Sequence, residues 1–255
     1  MTTRRVLTPY ERTQLARYLG AAADAVIPDD IPIEYVTGKV EFCGLVFDIS
    51  TAALIPRIET EELVHRAQQE LLVLTARSES SQPLVVSDVG TGCGAVAITL
   101  AHLFKETSAD IRWLATDISP KAVALAQANA AAMIGKKHTV EFFVSDLLNE
   151  YPAELQFDLL IANLPYIPHD RIVYLDKSVH AHEPHLALDG GVDGLRLIHA
   201  FLRQATARTR AKGVILLEID YTHTADDFND FRPDWVIHVD TDSFTRNRFA
   251  RLERK

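Results

Sequence analysis

A chain of 255 residues has room for one α/β domain of ordinary size and a small appendage. Hydrophobic residues at 47% and charged residues at 24% exclude a disordered chain, and the net charge of -9 argues against a surface built chiefly to neutralise nucleic-acid phosphates. With Cys43 and Cys93 as the whole cysteine complement, neither a disulfide framework nor a cysteine-rich zinc site is available. The opening MTTRRVLTPYERTQ carries no apolar signal-peptide run and no stretch reaches membrane-spanning length, so the cytoplasm is the expected location.

From Thr8 to about Val26, Leu15, Leu19 and Ala22 recur at helical spacing, and Pro28 and Pro32 then act as breakers. Residues 1–36 are therefore expected to form a short helical N-terminal region. In GKVEFCGLVFDIS, Val40 and Phe42, then Leu45, Phe47 and Ile49, alternate around Cys43-Gly44, which predicts a β-hairpin linker over 37–58. Leu63, Val64, Ala67 and Leu71 lie on one helical face behind Glu61 and Glu62, opening a main domain over 59–255.

Strand-like runs then alternate with helical ones: PLVVSDV, IRWLATD, TVEFFVSD, FDLLIA and GVILLEID, followed by WVIHVD and FARLER after a short helix. Such alternation predicts a seven-stranded, mostly parallel sheet covered on both faces. Arg246, Arg248, Arg251, Arg254 and Lys255 alternate with Phe249 and Leu252, the pattern of a strand with one solvated polar face.

The strongest local signal is Asp88-Val89-Gly90-Thr91-Gly92-Cys93-Gly94, between a buried strand and an Ala-rich helix. Glycines there let the backbone approach a ligand and aim N–H groups at it from a helix N-terminus. Alone, the turn is equally compatible with a dinucleotide. Asp117, at the tip of the next strand before the helix-start pair Ser119-Pro120, is placed to accept ribose hydroxyls, though it could simply cap that helix. Asp146 ends the third strand, where it could accept from an adenine amine while Leu147 packs on the base.

The fourth strand ends in Asn163-Leu164-Pro165-Tyr166. An amide or aryl amine is a poor nucleophile because its lone pair is delocalised, so a site that methylates one must orient the nitrogen and accept from its N–H groups. The Asn163 side-chain oxygen and the Leu164 carbonyl can accept, Pro165 can stiffen the turn, and Tyr166 can cover the planar group. Leu164 is expected to contribute only its carbonyl. The histidines His180, His182 and His185 around Glu183 are not expected to form a metal site.

From Pro32 nearly to the C-terminus the sequence resembles the HemK/PrmC family of protein-(glutamine-N5) methyltransferases, which act on the Gly-Gly-Gln loop of peptide chain release factors. PIEYVTGKVEFCGLVFDI and ALIPRIETEELV look like the family's hairpin and its PRPETEE segment. DVGTGCGAVAI looks like its cofactor turn, and EPHLALDGGVDGLRLI like its post-catalytic loop. The resemblance implies a Rossmann-like class I fold with S-adenosyl-L-methionine as cofactor. It implies cofactor contacts from Asp88, Gly90, Thr91, Gly92, Cys93, Gly94, Asp117, Asp146, Leu147 and Asn163. The glutamine amide would be held by Asn163, Leu164, Pro165 and Tyr166, with Asn163, Pro165 and Tyr166 catalytic. Arg57, Glu59 and Thr60 match a segment close to the active centre. The implied partner is a release factor engaged by a monomer, with no membrane and no nucleic acid as direct substrate.

Three departures stand out. Leu164 replaces the first proline of the family's Asn-Pro-Pro-Tyr, giving a motif also similar to that of ribosomal-RNA adenine dimethyltransferases. Asp220 replaces a glycine after Glu218-Ile219, with His223 where glutamine is commoner. About thirty residues precede the hairpin where bacterial members usually carry a larger helical domain. A methyltransferase for DNA or RNA adenine amines, one for ribosomal-protein glutamines, and an inactive docking module are therefore the competing readings.

Overall fold

The computed structural model describes residues 6–20, 27, 30–77, 82–135 and 139–255. Helix α1 (Pro9–Leu19) opens with a capping box in which the Thr8 hydroxyl accepts from Glu11 N–H while the Glu11 carboxylate accepts from Thr8 N–H. Residues 21–26, the far end of the helix expected there, lie outside the described residues. Helix α2 (Ile33–Thr37) follows Pro32 directly. The sequence pattern treated that proline as a breaker, but a proline before the first turn sacrifices no helical hydrogen bond. Strands β1 (Lys39–Phe42) and β2 (Leu45–Asp48) pair antiparallel around Cys43 and Gly44, whose φ values of 48° and 74° suit a tight hairpin turn.

Helix α3 (Ile58–Arg77) buries Leu63, Val64, Ala67 and Leu71 completely, each large side chain contributing roughly 1.5–3 kcal/mol. Then come β3 (Leu84–Val89), α4 (Ala95–Leu103), β4 (Ile111–Asp117), α5 (Pro120–Met133), β5 (Val140–Val144), β6 (Phe157–Ala162) and the two-residue β7 (Ile167–Pro168). The chain continues through α6 (Lys177–His182), β8 (Asp189–Gly191), α7 (Arg196–Thr206), β9 (Thr209–Glu218), β10 (Trp235–Thr241) and β11 (Asn247–Arg254). The short helix expected before β10 is a 3-10 segment, Ala225–Phe231.

The main sheet has the order β10-β11-β9-β6-β3-β4-β5, parallel except where β11 pairs antiparallel with both β9 and β10. It is the seven-stranded, mostly parallel sheet expected from the sequence. Because successive side chains of a strand face opposite ways, Val86, Leu159 and Ile161 join one core with α3, α4 and the hairpin. Val85, Val89, Leu160 and Ala162 join a second core with α7 and the 3-10 segment. Val40, Phe42, Phe47 and Ile49 of the hairpin sit in that first core.

The C-terminal arginines are less solvated than their alternation implies. Strand β11 lies inside the sheet, Arg251 forks onto Glu70 of α3 at 2.6 and 3.1 Å, and Arg248 stands 3.5 Å from the buried Asp242 carboxylate. The strand order reverses between the parallel neighbours β3 and β6: the chain builds outward through β4 and β5 on one side, then returns to β6 and builds through β9 and β11 on the other. Such a switch point leaves a crevice beyond the C-terminal strand ends.

Candidate active site

At that crevice the turn after β3 is tied to its neighbour, since Gly90 and Thr91 N–H both donate to the Thr116 carbonyl at 2.8 Å. Gly90, Gly92 and Gly94 have φ of 78°, 57° and 88°, a left-handed region costly to other residues. Asp88 is buried, and its Oδ2 accepts from the Thr91 hydroxyl at 2.6 Å and Ala97 N–H at 3.2 Å. Burial outweighs these bonds and pushes its carboxyl up to about 6.

Asp117 accepts from Gly92 N–H and Ser119 N–H, both at 2.9 Å, so it braces the turn and starts α5 at once. A carboxylate offers about four acceptor sites, so Asp117 keeps capacity for a ligand beyond its backbone bonds. Burial again raises its pKa. Cys93 is a buried neutral thiol, pushed up to about 12. The Cys93 carbonyl accepts from Asn129 Nδ2 at 2.9 Å, and the same amide exchanges bonds of 2.8 and 3.0 Å with the Asp48 backbone. One α5 side chain thus locks the hairpin to the cofactor-type turn, a role no local motif announced.

After β5, Leu147 adopts φ 56°, unusual for leucine, and its carbonyl accepts from the Ser145 hydroxyl at 2.9 Å. Beyond β6, Asn163 Nδ2 donates to Thr60 Oγ1 at 3.0 Å, and the Thr60 hydroxyl donates to Glu218 Oε2 at 2.8 Å. The Tyr166 hydroxyl donates to Glu218 Oε1 at 2.9 Å. Glu218 is buried at the end of β9, and burial raises its pKa against the pull of these donors and of Arg248. Burial likewise raises the Tyr166 phenol well above its ordinary value, so it stays a donor. Arg57 meets the buried Glu183 carboxylate at 2.5 Å, joining the loop before α3 to the loop after α6.

These elements enclose a cavity of about 630 Å³, a size suited to a small organic ligand. Asp88, Gly90, Thr91, Gly92, Cys93, Asp117, Asp146, Leu147, Asn163, Leu164 and Pro165 all line it. Gly94 and Tyr166 do not: Gly94 packs behind the turn, where an added Cβ would come within 2.6 Å of Ile98, and the Tyr166 hydroxyl is turned onto Glu218. Sequence reasoning did not single out Pro184, Leu186 and Leu197, which lie within the EPHLALDGGVDGLRLI segment, nor Gln204 beyond it; these residues complete the wall. Among the described residues no group of three or more histidine, cysteine or acidic side chains could hold a metal ion.

Leu164 contributes more than a carbonyl. It is 4% exposed, belongs to the second core, and would lie 3.1 Å from a Cβ placed at Gly90. Leu164→Pro, which removes part of that packed side chain, is expected to cost about 1–3 kcal/mol of stability. Chemical denaturation of the variant measures it, and an unchanged midpoint would show that the leucine side chain contributes nothing.

The family profile described as "Methyltransferase domain" matches residues 86–185, from β3 to just beyond Glu183. A release factor glutamine methyltransferase of Koribacter versatilis (strain Ellin345) is 39% identical over 205 residues, 80% of this chain and 68% of the relative. The chain belongs to the release factor glutamine methyltransferase family. A relative of the same description from Moorella thermoacetica is 38% identical, over 74% of this chain and 62% of its own length. Against these relatives the chain spans about two thirds of their length.

The structure of a human methyltransferase 10 domain containing protein shares the fold, with a TM-score of 0.54 at 17% identity over 83% of this chain and 88% of that one. With this family membership the chain is an S-adenosylmethionine-dependent methyltransferase of the protein-glutamine type.

Proposed function

We propose that the chain methylates the side-chain amide nitrogen of the glutamine in the Gly-Gly-Gln loop of a peptide chain release factor. The observation that carries this reading is the Asn163–Pro165 turn in the wall of the same cavity as Asp88, Gly92 and Asp117. An acceptor group beside a nucleoside-type site is what methylation of a planar nitrogen needs. The residues present fit S-adenosylmethionine: lone pairs on Asp117 suit ribose hydroxyls, Leu147 and Asp146 suit an adenine, and Asp88 suits the methionyl ammonium.

When bound, that group supplies an electrophilic methyl on a sulfonium. The chain's own part is positioning. Asn163 Oδ1 and the Leu164 carbonyl accept from the two N–H bonds of the glutamine amide, which turns the nitrogen lone pair toward the methyl donor's place. Pro165 covers one edge of the amide plane, and the buried apolar walls exclude water that would compete for the same hydrogen bonds. A nuclease-treated and a protease-treated aliquot of a labelled reaction on purified release factor, ribosomal proteins and total RNA tests the substrate class. Label that survives nuclease and is lost from the acid-insoluble fraction with protease supports a protein acceptor; the reverse supports the adenine reading.

Asp88 gives the site a pH dependence. Its folded pKa lies above the ordinary 3.8, so the apo protein loses stability as pH rises from 3.8 through about 6, where the buried carboxyl must ionise. A cationic ligand group reverses the preference, because it needs the carboxylate. Cofactor affinity is therefore expected to fall as pH drops below 6, by up to ~10-fold per unit. Asp88→Asn should bind more weakly at neutral pH with a shallower acid limb. Calorimetric titration between pH 5 and 7.5 reads both, and a parent affinity flat across that range would remove Asp88 from the ammonium site.

A further inference from the structure

Glu218 reaches the active site only through other side chains, yet its two oxygens decide which way those side chains point. A buried carboxylate has acceptors and no donor, so the hydroxyls of Thr60 and Tyr166, at 2.8 and 2.9 Å, must both spend their single proton on it. With its proton committed, Thr60 Oγ1 can only accept from Asn163, and the group it accepts from, at 3.0 Å, is necessarily Nδ2. The open end of the Asn163 amide is then Oδ1. Tyr166 is fixed in the same way, its remaining lone pair facing Arg248 Nη1 at 3.5 Å.

We infer that Glu218 and Thr60 are positioning residues that hold the Asn163 amide with its oxygen toward the methyl acceptor, so that the site selects a nucleophile bearing N–H groups. The inference rests on Asn163 being the group that receives the glutamine amide. Were Glu218 a donor, the chain of bonds could reverse: Thr60 would donate to Asn163, and the NH2 end would face the cavity. A glutamine would then be drawn in by its carbonyl oxygen, with its nitrogen turned away from the methyl group.

The charge that sets this polarity is surrounded by groups from β11, from α3 and from the turn after β6. Arg248 on β11 faces it as a cation, Glu59 on α3 opposes it, and the Thr60 and Tyr166 hydroxyls stabilise it, while burial at the end of β9 raises its pKa. Protonation at low pH would remove the acceptor at one oxygen and undo the alignment, which places an acid limb on turnover above the ordinary carboxylate range.

The test compares the parent with Glu218→Gln, Thr60→Val, Thr60→Ser and Asn163→Ala on purified release factor, with cofactor affinity measured alongside. Glu218→Gln and Thr60→Val are expected to lower kcat by about 30-fold while cofactor Kd stays within about twofold. Thr60→Ser, which keeps the hydroxyl, recovers most of what Thr60→Val loses. The double variant Glu218→Gln with Thr60→Val is no slower than either single one, because the two act as one unit. At saturating cofactor, the acid limb of kcat disappears in Glu218→Gln, while the Asp88 limb on cofactor affinity stays.

A second measurement needs no substrate: the Asn163 side-chain NH2 exchanges slowly with solvent in the parent and quickly in Thr60→Val and Glu218→Gln. If Asn163→Ala abolishes turnover while Glu218→Gln and Thr60→Val keep it, the positioning role is wrong and the Asn163 reading stands. If Asn163→Ala itself turns over like the parent, that reading fails and takes this inference with it. Equal exchange in all the proteins overturns the inference by itself.

Discussion

Gly194→Ala is expected to depress methyl transfer by about a hundredfold or more while leaving cofactor affinity near the parent value. Gly194 has φ 80°, and a Cβ there would overlap the Tyr166 carbonyl oxygen and stand 3.1 Å from its carbonyl carbon and 3.2 Å from His223 Nε2. None of these neighbours is the end of a flexible chain. Gly190 makes the same close approach from the other side, where a Cβ would lie 2.8 Å from the Pro165 carbonyl oxygen. The β8–α7 loop is thus packed backbone to backbone against the acceptor turn, and an added methyl must displace Pro165-Tyr166 or the loop itself. The Asp88 and Asp117 end of the cavity lies on β3 and β4, outside that contact. Steady-state kinetics with calorimetric titration separate the two effects. Parent-like turnover from a folded Gly194→Ala would mean the loop does not hold the turn.

Asn163→Ala should lower kcat by about a hundredfold or more, since under the proposed function it deletes the acceptor that orients the substrate nitrogen. Its cost in stability is small by comparison, about 1 kcal/mol for the lost bond to Thr60, because the residue is only half-buried. Turnover within a few-fold of the parent, with the fold intact, would move the acceptor site away from β6.

Most of this fold was legible because its signals are local. The strand at Leu84–Val89 is buried along its whole length, and its apolar start Leu84-Val85-Val86 marks it even though Ser87 and Asp88 interrupt the run. The Ser119-Pro120 pair does start a helix. The Cys43-Gly44 turn likewise sits where alternation broke. The N-terminal boundary was less legible: Pro32 looked like a stop and is instead the residue from which α2 begins. In the site, the turns that follow β3, β4, β5 and β6 were readable one by one, since each carries its polar residue at a strand end.

What ties them together was not. Thr60 and Glu218 are separated by 158 residues, and Asn129 reaches Asp48 across 81. Glu218 drew attention only through the aspartate two residues after it, and that Asp220 turns out to hold Arg171 at 2.9 Å and the Thr222 hydroxyl, a structural duty away from the cavity. The Leu164 side chain was undervalued for a related reason: the motif marks its carbonyl, whereas its burial depends on the second core.

Under the proposed function, Asn163, Leu164 and Pro165 present a glutamine amide, and not a flipped base, to the methyl donor. The most direct test of this is peptide mass spectrometry of a release factor from the same organism after incubation with the enzyme and labelled S-adenosylmethionine. A single added methyl is expected, located by fragmentation on the side-chain amide of the glutamine in the Gly-Gly-Gln loop, with no such addition for Asn163→Ala. An unmodified release factor alongside methylated adenines in RNA or DNA from the same reaction would contradict it.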